Sequence, residues 1–499
     1  MEEVYEYEEY QEEQPEEEQP RKKSKVWLWI LVAVLALAVV AAAAFLLLPK
    51  LAGGSKSAGE DWEYTQAFIP SDKSSGYLLL PNGKTIKLRG DGIEDAQISK
   101  DFKHIAVLLD DGSLFLTDDK QSGKWNIADD ASRMWIGDNS LIYRDKEERY
   151  HKAIYKNKDV VDLSKEAETI SVRAKNGKLS AAYRGKNDGL YLLPDGADEA
   201  TKIGSGVSRI YGLTSDGKMV VWAGSKDGKT SLYVSEGEEK VSLANVSSGS
   251  TYVYFTKDEK TAVIFNIGEN RIWIKPLGKD AQSVKISGSV ESISTNAGEI
   301  EKINASQLKY LYVSVWSDGE YSLYQINVKD GEKERVLSKV ENLRHQNGVA
   351  AYTDEDDTLF VAKMGKKEME EGTKVSPEAE KIRMYGEGNY VYFFRDDALY
   401  AYKVGSKAPV KVASDVEYLS VSENGQYAVI GKDKDKDGGY TLYLWKFGSK
   451  SPEKIANEAS PLTVEDSGKF YYAKLDGDTV DLLYYDGKTT QKIATGLEF

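Results

Sequence analysis

Residues 416–458 read VEYLSVSENGQYAVIGKDKDKDGGYTLYLWKFGSKSPEKIANE. Four short β-type runs (LSVS, YAVIG, TLYLW and EKIA) alternate with turn-forming breaks (SENGQ, KDKDKDGG and FGSKSP). β-Branched and aromatic residues suit a pleated strand, and Gly, Asn, Asp and Ser supply the conformations and local hydrogen bonds of tight turns. The stretch therefore predicts a four-stranded antiparallel unit of about 40 residues, the length of one propeller blade.

Variants of this unit recur from about residue 93 to the C-terminus. Its first internal turn appears as SKDFKHIAVLL, GDNSLIY, AKNGKLSAAY, TSDGKMVVW, TKDEKTAVIF, SQLKYLYVSV, RHQNGVAAY, GEGNYVYFF, SENGQYAVI and EDSGKFYYA. With Phe102, Asn139, Gly177, Gly217, Glu259, Leu308, Gly348, Gly388, Gly425 and Gly468 taken as equivalent, the spacings are 37, 38, 40, 42, 49, 40, 40, 37 and 43. A second hairpin also repeats, as in DDGSLFLTD, KTSLYVSEG and YTLYLWKFG, and a short fourth run closes each unit. Residues 62–90 supply a partial extra unit through GYLLLPNGKTIKL. The fold class is thus all-β: about ten four-stranded propeller units and a fragment, in two tandem propellers or, failing that, one wide ring, with a solenoid of stacked sheets as the rival architecture. The 49-residue interval places any boundary between two propellers near residues 288–303.

The pattern in TSDGKMVVWAGSKDGKTSLYV and in residues 416–458 resembles the TolB-like and WD40-like β-propeller repeats of bacterial envelope proteins, over roughly residues 63–499. The Pro of a TolB-type Ser-Pro-Asp-Gly-Lys turn is absent throughout, residues 215–218 come nearest, and no Gly-His or Trp-Asp dipeptide recurs. The resemblance implies architecture; propellers host binding, scaffolding and catalysis alike.

Residues 26–48, VWLWILVAVLALAVVAAAAFLLL, carry no charge and follow RKKSK. A helix of that length crosses a bilayer, and the basic flank places the N-terminus in the cytoplasm and the repeat region outside. The run is longer than the apolar core of a cleaved signal peptide. Four regions are expected: a disordered acidic tail with its basic flank (1–25), a transmembrane helix (26–48), a Gly/Ser linker (49–61) and an extracytoplasmic repeat region (62–499). The formal charge is −15, of which residues 1–25 contribute −6. An acidic surface argues against a nucleic-acid partner. The absence of Cys excludes disulfides, thiolate metal sites and Cys nucleophiles.

Chemistry-bearing motifs are few. His104, His151 and His345 lie in different units with no metal-ligand partner nearby in sequence, and no HExxH or GxSxG occurs. Ser215 and Lys218 have SxxK spacing but lie on a repeated hairpin turn. GSKDGKT (224–230), NGKT (82–85) and DGKTT (486–490) join strands rather than opening a phosphate-binding helix. The pairs Asp110–Asp111, Asp129–Asp130 and Asp396–Asp397 fall at turns, where a glycosidase carboxylate pair is not expected. Asp433, Asp435 and Asp437 in DKDKDG place three carboxylates at alternate positions, the first half of a calcium loop; the twelfth position is Leu444 where such a loop has Glu. No cofactor is expected: the stretch reads as a charged hairpin tip that keeps a sheet edge soluble, with calcium at these three residues as the alternative. The polar insertion 365–381 reads as a tolerated surface insertion, with a binding loop that overhangs one face as the alternative.

The leading expectation is a membrane-anchored extracytoplasmic propeller that binds a protein, a peptide or a cell-wall glycan. The alternatives are a glycan-active hydrolase or lyase, and a receptor signalling through its acidic tail.

Overall fold

The computed structural model describes residues 66–498 apart from 81–82, 164–166, 186, 227–228, 238, 247–249, 365–371 and 437. The expected tail, membrane helix and linker lie outside the described residues. Among those described, no helix is long and apolar enough to cross a membrane.

The described chain is a succession of antiparallel sheets, named here in chain order. Sheet 1 (66–88) has three strands. Sheets 2 to 9 span 93–128, 131–162, 167–205, 207–246, 251–285, 289–340, 342–376 and 380–414, with four strands each. The remaining seven strands form one continuous run. In it the strand Glu453–Val464 pairs on one side with Tyr440–Lys446, closing sheet 10, and on the other with Phe470–Asp476, opening sheet 11. The ten turns counted in the sequence fall one in each of sheets 2 to 11, and the fragment is sheet 1.

Side-chain alternation explains how the sheets associate. Successive residues of a strand face opposite sides, so a central strand that is apolar throughout needs cover on both faces. In Thr261–Asn266 of sheet 6, Ala262 and Ile264 pack into the layer shared with sheet 5. Val263 and Phe265 pack into the layer shared with sheet 7. The same holds around the molecule, each layer joining one sheet to the next.

The last layer joins the two ends of the chain. Phe68, Tyr77 and Leu79 of sheet 1 pack against Tyr471, Leu482, Tyr484 and Leu497 of sheet 11, while Leu78 faces sheet 2. The Tyr471 hydroxyl donates to the carbonyls of Leu80 (2.8 Å) and Lys84 (3.0 Å). The Ser71 amide donates to the Glu498 carbonyl at 3.0 Å. Gly83, at φ +75°, lies so close to the Tyr484 ring that a Cβ would stand 2.6 Å from it. The sheets thus close into a propeller-like ring. First strands of successive sheets lie side by side, as Ala167–Lys175 does beside Val207–Leu213. Fourth strands such as Asp159–Asp162 and Lys333–Val340 are largely exposed. The first strands therefore line the interior and the fourth strands form the rim.

Two readings are corrected. No domain boundary lies at 288–303: Ile300 and Ile303 are buried in the layer between sheets 6 and 7, and the sheet 1–sheet 11 seam makes one ring rather than two in tandem. The described half of the 365–381 insertion does not overhang, because Thr373–Ser376 is the fourth strand of sheet 8.

The seam generates a prediction. Tyr484 is 1% exposed, and removing a large buried aromatic costs about 3–5 kcal/mol. Tyr484→Ala should lower urea-unfolding stability by about that much, whereas Ile267→Ala, at an exposed site, should change it by less than about 0.5 kcal/mol. Equal effects would contradict the seam.

Candidate functional site

One end of the ring carries the repeated first turns, and their chemistry is structural. In sheets 2, 5, 6 and 10 a hydroxyl (Ser99, Thr214, Thr256, Ser422) donates to the side chain two residues on (Asp101, Asp216, Asp258, Asn424). The same oxygen accepts the amide five residues on, from His104, Met219, Thr261 and Tyr427. The next sheet then clasps the turn. Asp138 accepts the Asp101 amide at 3.1 Å, and Asp466 the Asn424 amide at 2.7 Å. Glu259 accepts both the amide (2.6 Å) and the hydroxyl (2.7 Å) of Ser215. Ser215 is thus buried and committed, and Lys218 pairs with Asp216 at 3.1 Å, so the SxxK spacing carries no nucleophile.

The extra residues of sheet 7 cross this end. The segment 296–309 contains the short turn Ile300–Lys302. The Ile303 carbonyl accepts the Lys257 amide of sheet 6 at 2.7 Å. Asp258 accepts the Ala305 amide at 3.0 Å. Lys302, its side chain 8% exposed, donates to Glu423 of sheet 10 at 2.7 Å. Arg173 of sheet 4 lies between Glu259 (3.4 Å) and Glu301 (3.6 Å). Sheets 4 and 10 are both three sheets away from sheet 7, so the segment bridges the interior at this end. Beside it the Lys175 ammonium is buried without a hydrogen-bond partner; burial, then the neighbouring Arg173, pushes its pKa down.

At the same end, a cleft of about 320 Å³ opens between sheets 2 and 3. It is lined by Lys103, His104, Asp118, Lys124, Trp125 and Lys158, among others. The His104 ring packs against Tyr155, tilted by 38° with the ring centres 4.4 Å apart. Its Nδ1 is buried without a hydrogen-bond partner, 3.9 Å from Asp101, and burial holds its pKa down. Lys124 sits 4.0 Å over the Phe115 ring, and Lys103 pairs with Asp101 at 2.9 Å. Three lysines and an indole make a small basic, aromatic recess on an acidic chain.

His151 is structural: its Nε2 lies 3.1 Å from the buried Asp145 carboxylate, and its ring stacks on Tyr143. His345, on the first strand of sheet 8, meets Ser294 at Nδ1 (2.5 Å) and Ser292 at Nε2 (2.8 Å) on the first strand of sheet 7. Sequence reading missed this cluster because its members lie 51 and 53 residues apart in different units.

Of the candidate calcium ligands, Asp437 lies outside the described residues. The Asp435 carboxylate accepts the Gly439 amide at 2.9 Å, and Asp433 stands at φ +49° in the same hairpin. Among the described residues no group of three His, Asp or Glu side chains is placed to hold a metal. The paired aspartates are turn residues: Asp396 and Asp397 both have positive φ, and Asp111 caps the Ser113 amide at 2.7 Å.

No protein-family profile matches the chain, and no curated protein matches it in sequence. Among solved structures it is similar to the crystal structure of the tricorn protease, at 10% identity and a TM-score of 0.27, covering 86% of this chain and 57% of that one. It therefore spans little more than half of that protein's length. It is also similar to the crystal structure of a eukaryotic initiation factor, at 11% identity and a TM-score of 0.39, covering 72% and 96% of the two chains. At those scores neither likeness bears on the site.

Burial, with Arg344 adding to it, pushes the His345 pKa from 6.5 down to about 4. Between those values the unfolded chain takes up a proton that the folded chain refuses. The contribution of His345 is thus complete above pH 6.5 and is lost as pH falls toward 4. In thermal melts, the loss of Tm from pH 7.5 to 4.5 should be smaller in His345→Gln than in the unaltered protein. Equal losses would contradict the burial.

Proposed function

We propose that the protein is a membrane-anchored, extracytoplasmic binding module whose ligand is an acidic cell-wall glycan. The observation that carries the reading is the cleft between sheets 2 and 3. An indole offers an apolar face to a sugar ring, and ammonium groups act as point charges for carboxylate or phosphate. The anchoring rests on the apolar run 26–48 with its basic flank.

A binding role suits the rest of the molecule. The ring is a rigid scaffold held by its layers, and recognition groups on the turns of such a scaffold need no backbone rearrangement. The hydrolase alternative needs two facing carboxylates, and Asp118 is the one carboxylate lining the cleft. The receptor alternative depends on residues 1–25, outside the described residues.

The full-length protein in detergent micelles should bind a polyuronate or a poly(glycerol phosphate) in preference to a neutral glucan, with affinity falling as salt rises. Trp125→Ala should weaken binding by about tenfold, the equivalent of about 1.4 kcal/mol, and Lys124→Ala combined with Lys158→Ala should remove the salt dependence. Equal binding of neutral and acidic polymers, or no effect of Trp125→Ala, would overturn the reading.

A further inference from the structure

The first two strands of sheet 7 and the first strand of sheet 8 bring four polar side chains into one directional chain. Ser314, 1% exposed, lies opposite Ser292 in register, with their hydroxyls 2.6 Å apart. Ser292 in turn meets His345 Nε2, and Ser294, on the same strand, meets His345 Nδ1. Ser294 is buried and Ser292 is exposed. The ladder has an irregularity between Val290 and Ser292, which leaves Glu291 with no cross-strand partner. Such bulges re-aim side chains, and this one lies immediately before the exposed serine.

A consistent proton arrangement exists for the chain. Ser294 accepts from Nδ1–H, which leaves Nε2 unprotonated and facing Ser292. Ser314 donates to Ser292, so the Ser292 proton is directed at Nε2. A hydroxyl oriented toward an imidazole nitrogen, with the imidazole oriented by a third group, is the arrangement of an activated serine.

We propose that Ser292 is a nucleophile activated by His345 and that it accepts the acyl group of an ester. Ser292 Oγ bonds to the ester carbonyl carbon as its proton passes to His345 Nε2. The carbonyl–alkoxy bond breaks, and the alcohol leaves with that proton. Water then adds to the acyl-serine while its proton passes to Nε2. The bond from the acyl carbon to Ser292 Oγ breaks, the proton returns to that oxygen, and the carboxylic acid departs. The sum is ester plus water to acid plus alcohol. The orienting group is a neutral hydroxyl rather than a carboxylate, so the imidazolium formed in each step has little support. Turnover is therefore slow, and acylation of Ser292 is the event to detect. This activity is independent of the cleft between sheets 2 and 3.

The test treats the full-length protein in detergent micelles with a fluorophosphonate, which phosphonylates activated serines, and locates the adduct by peptide mass spectrometry. The expected result is one adduct, on Ser292, absent from Ser292→Ala and from heat-unfolded protein. A general base contributes about a hundredfold or more, so His345→Gln should slow labelling by at least that factor. If His345→Gln does not fold, as judged by its melt, Ser294→Ala removes the orienting contact alone and should still slow labelling several-fold. No adduct in the folded protein, or labelling at an unchanged rate in the folded variants, would overturn the proposal.

Discussion

Every sheet in this molecule has two apolar faces, and neither can be left in water. Central strands such as Thr261–Asn266, buried at all six positions, demand cover on both sides. A linear row of sheets would leave one bare face at each end. The seam of Phe68, Tyr77 and Leu79 against Tyr471, Leu482, Tyr484 and Leu497 covers both at once. At about 25 cal/mol per Å² of apolar surface removed from water, a layer of seven large side chains is a substantial fraction of a domain's net stability. Closure therefore joins the first described residues to the last.

The turns make that closure regular. Each repeated Ser or Thr with its Asp or Asn closes its own turn, and the acceptors Asp138, Glu259 and Asp466 tie turns to neighbours. These bonds explain why the motif recurs: it sets the geometry between sheets rather than binding a ligand. Where the spacing lengthens to 49, the additional residues serve the same end by bridging sheets 4, 6, 7 and 10. The charges of Arg173, Glu301 and Lys302 are absorbed in this brace.

The strands and their number were legible because they are local: alternation, turn residues and a period near 40 all lie within a few residues of one another. The ring was not, since its seam pairs residues about four hundred positions apart, as Tyr471 with Leu80. The same limit hid the sites. Trp125 looks like an ordinary strand residue until Lys103, His104 and Lys158 are brought beside it. Ser292 looks like surface polarity in the string VESIST until the next sheet supplies His345. The visible acidic motif at 433–437, by contrast, is in its described part a hairpin braced by its own Asp435.

Sheet 1 closes on sheet 11, and the absence of native cysteine allows a clean measurement of that closure. The Ser71 amide and Glu498 carbonyl are 3.0 Å apart, a backbone approach close enough for side chains at the two positions to be joined by a disulfide. The double variant Ser71→Cys, Glu498→Cys, oxidised at low protein concentration, should form one intramolecular disulfide that holds the chain ends together on a non-reducing gel. Two thiols that stay free to maleimide, or bridges that form only between molecules, would contradict a closed ring.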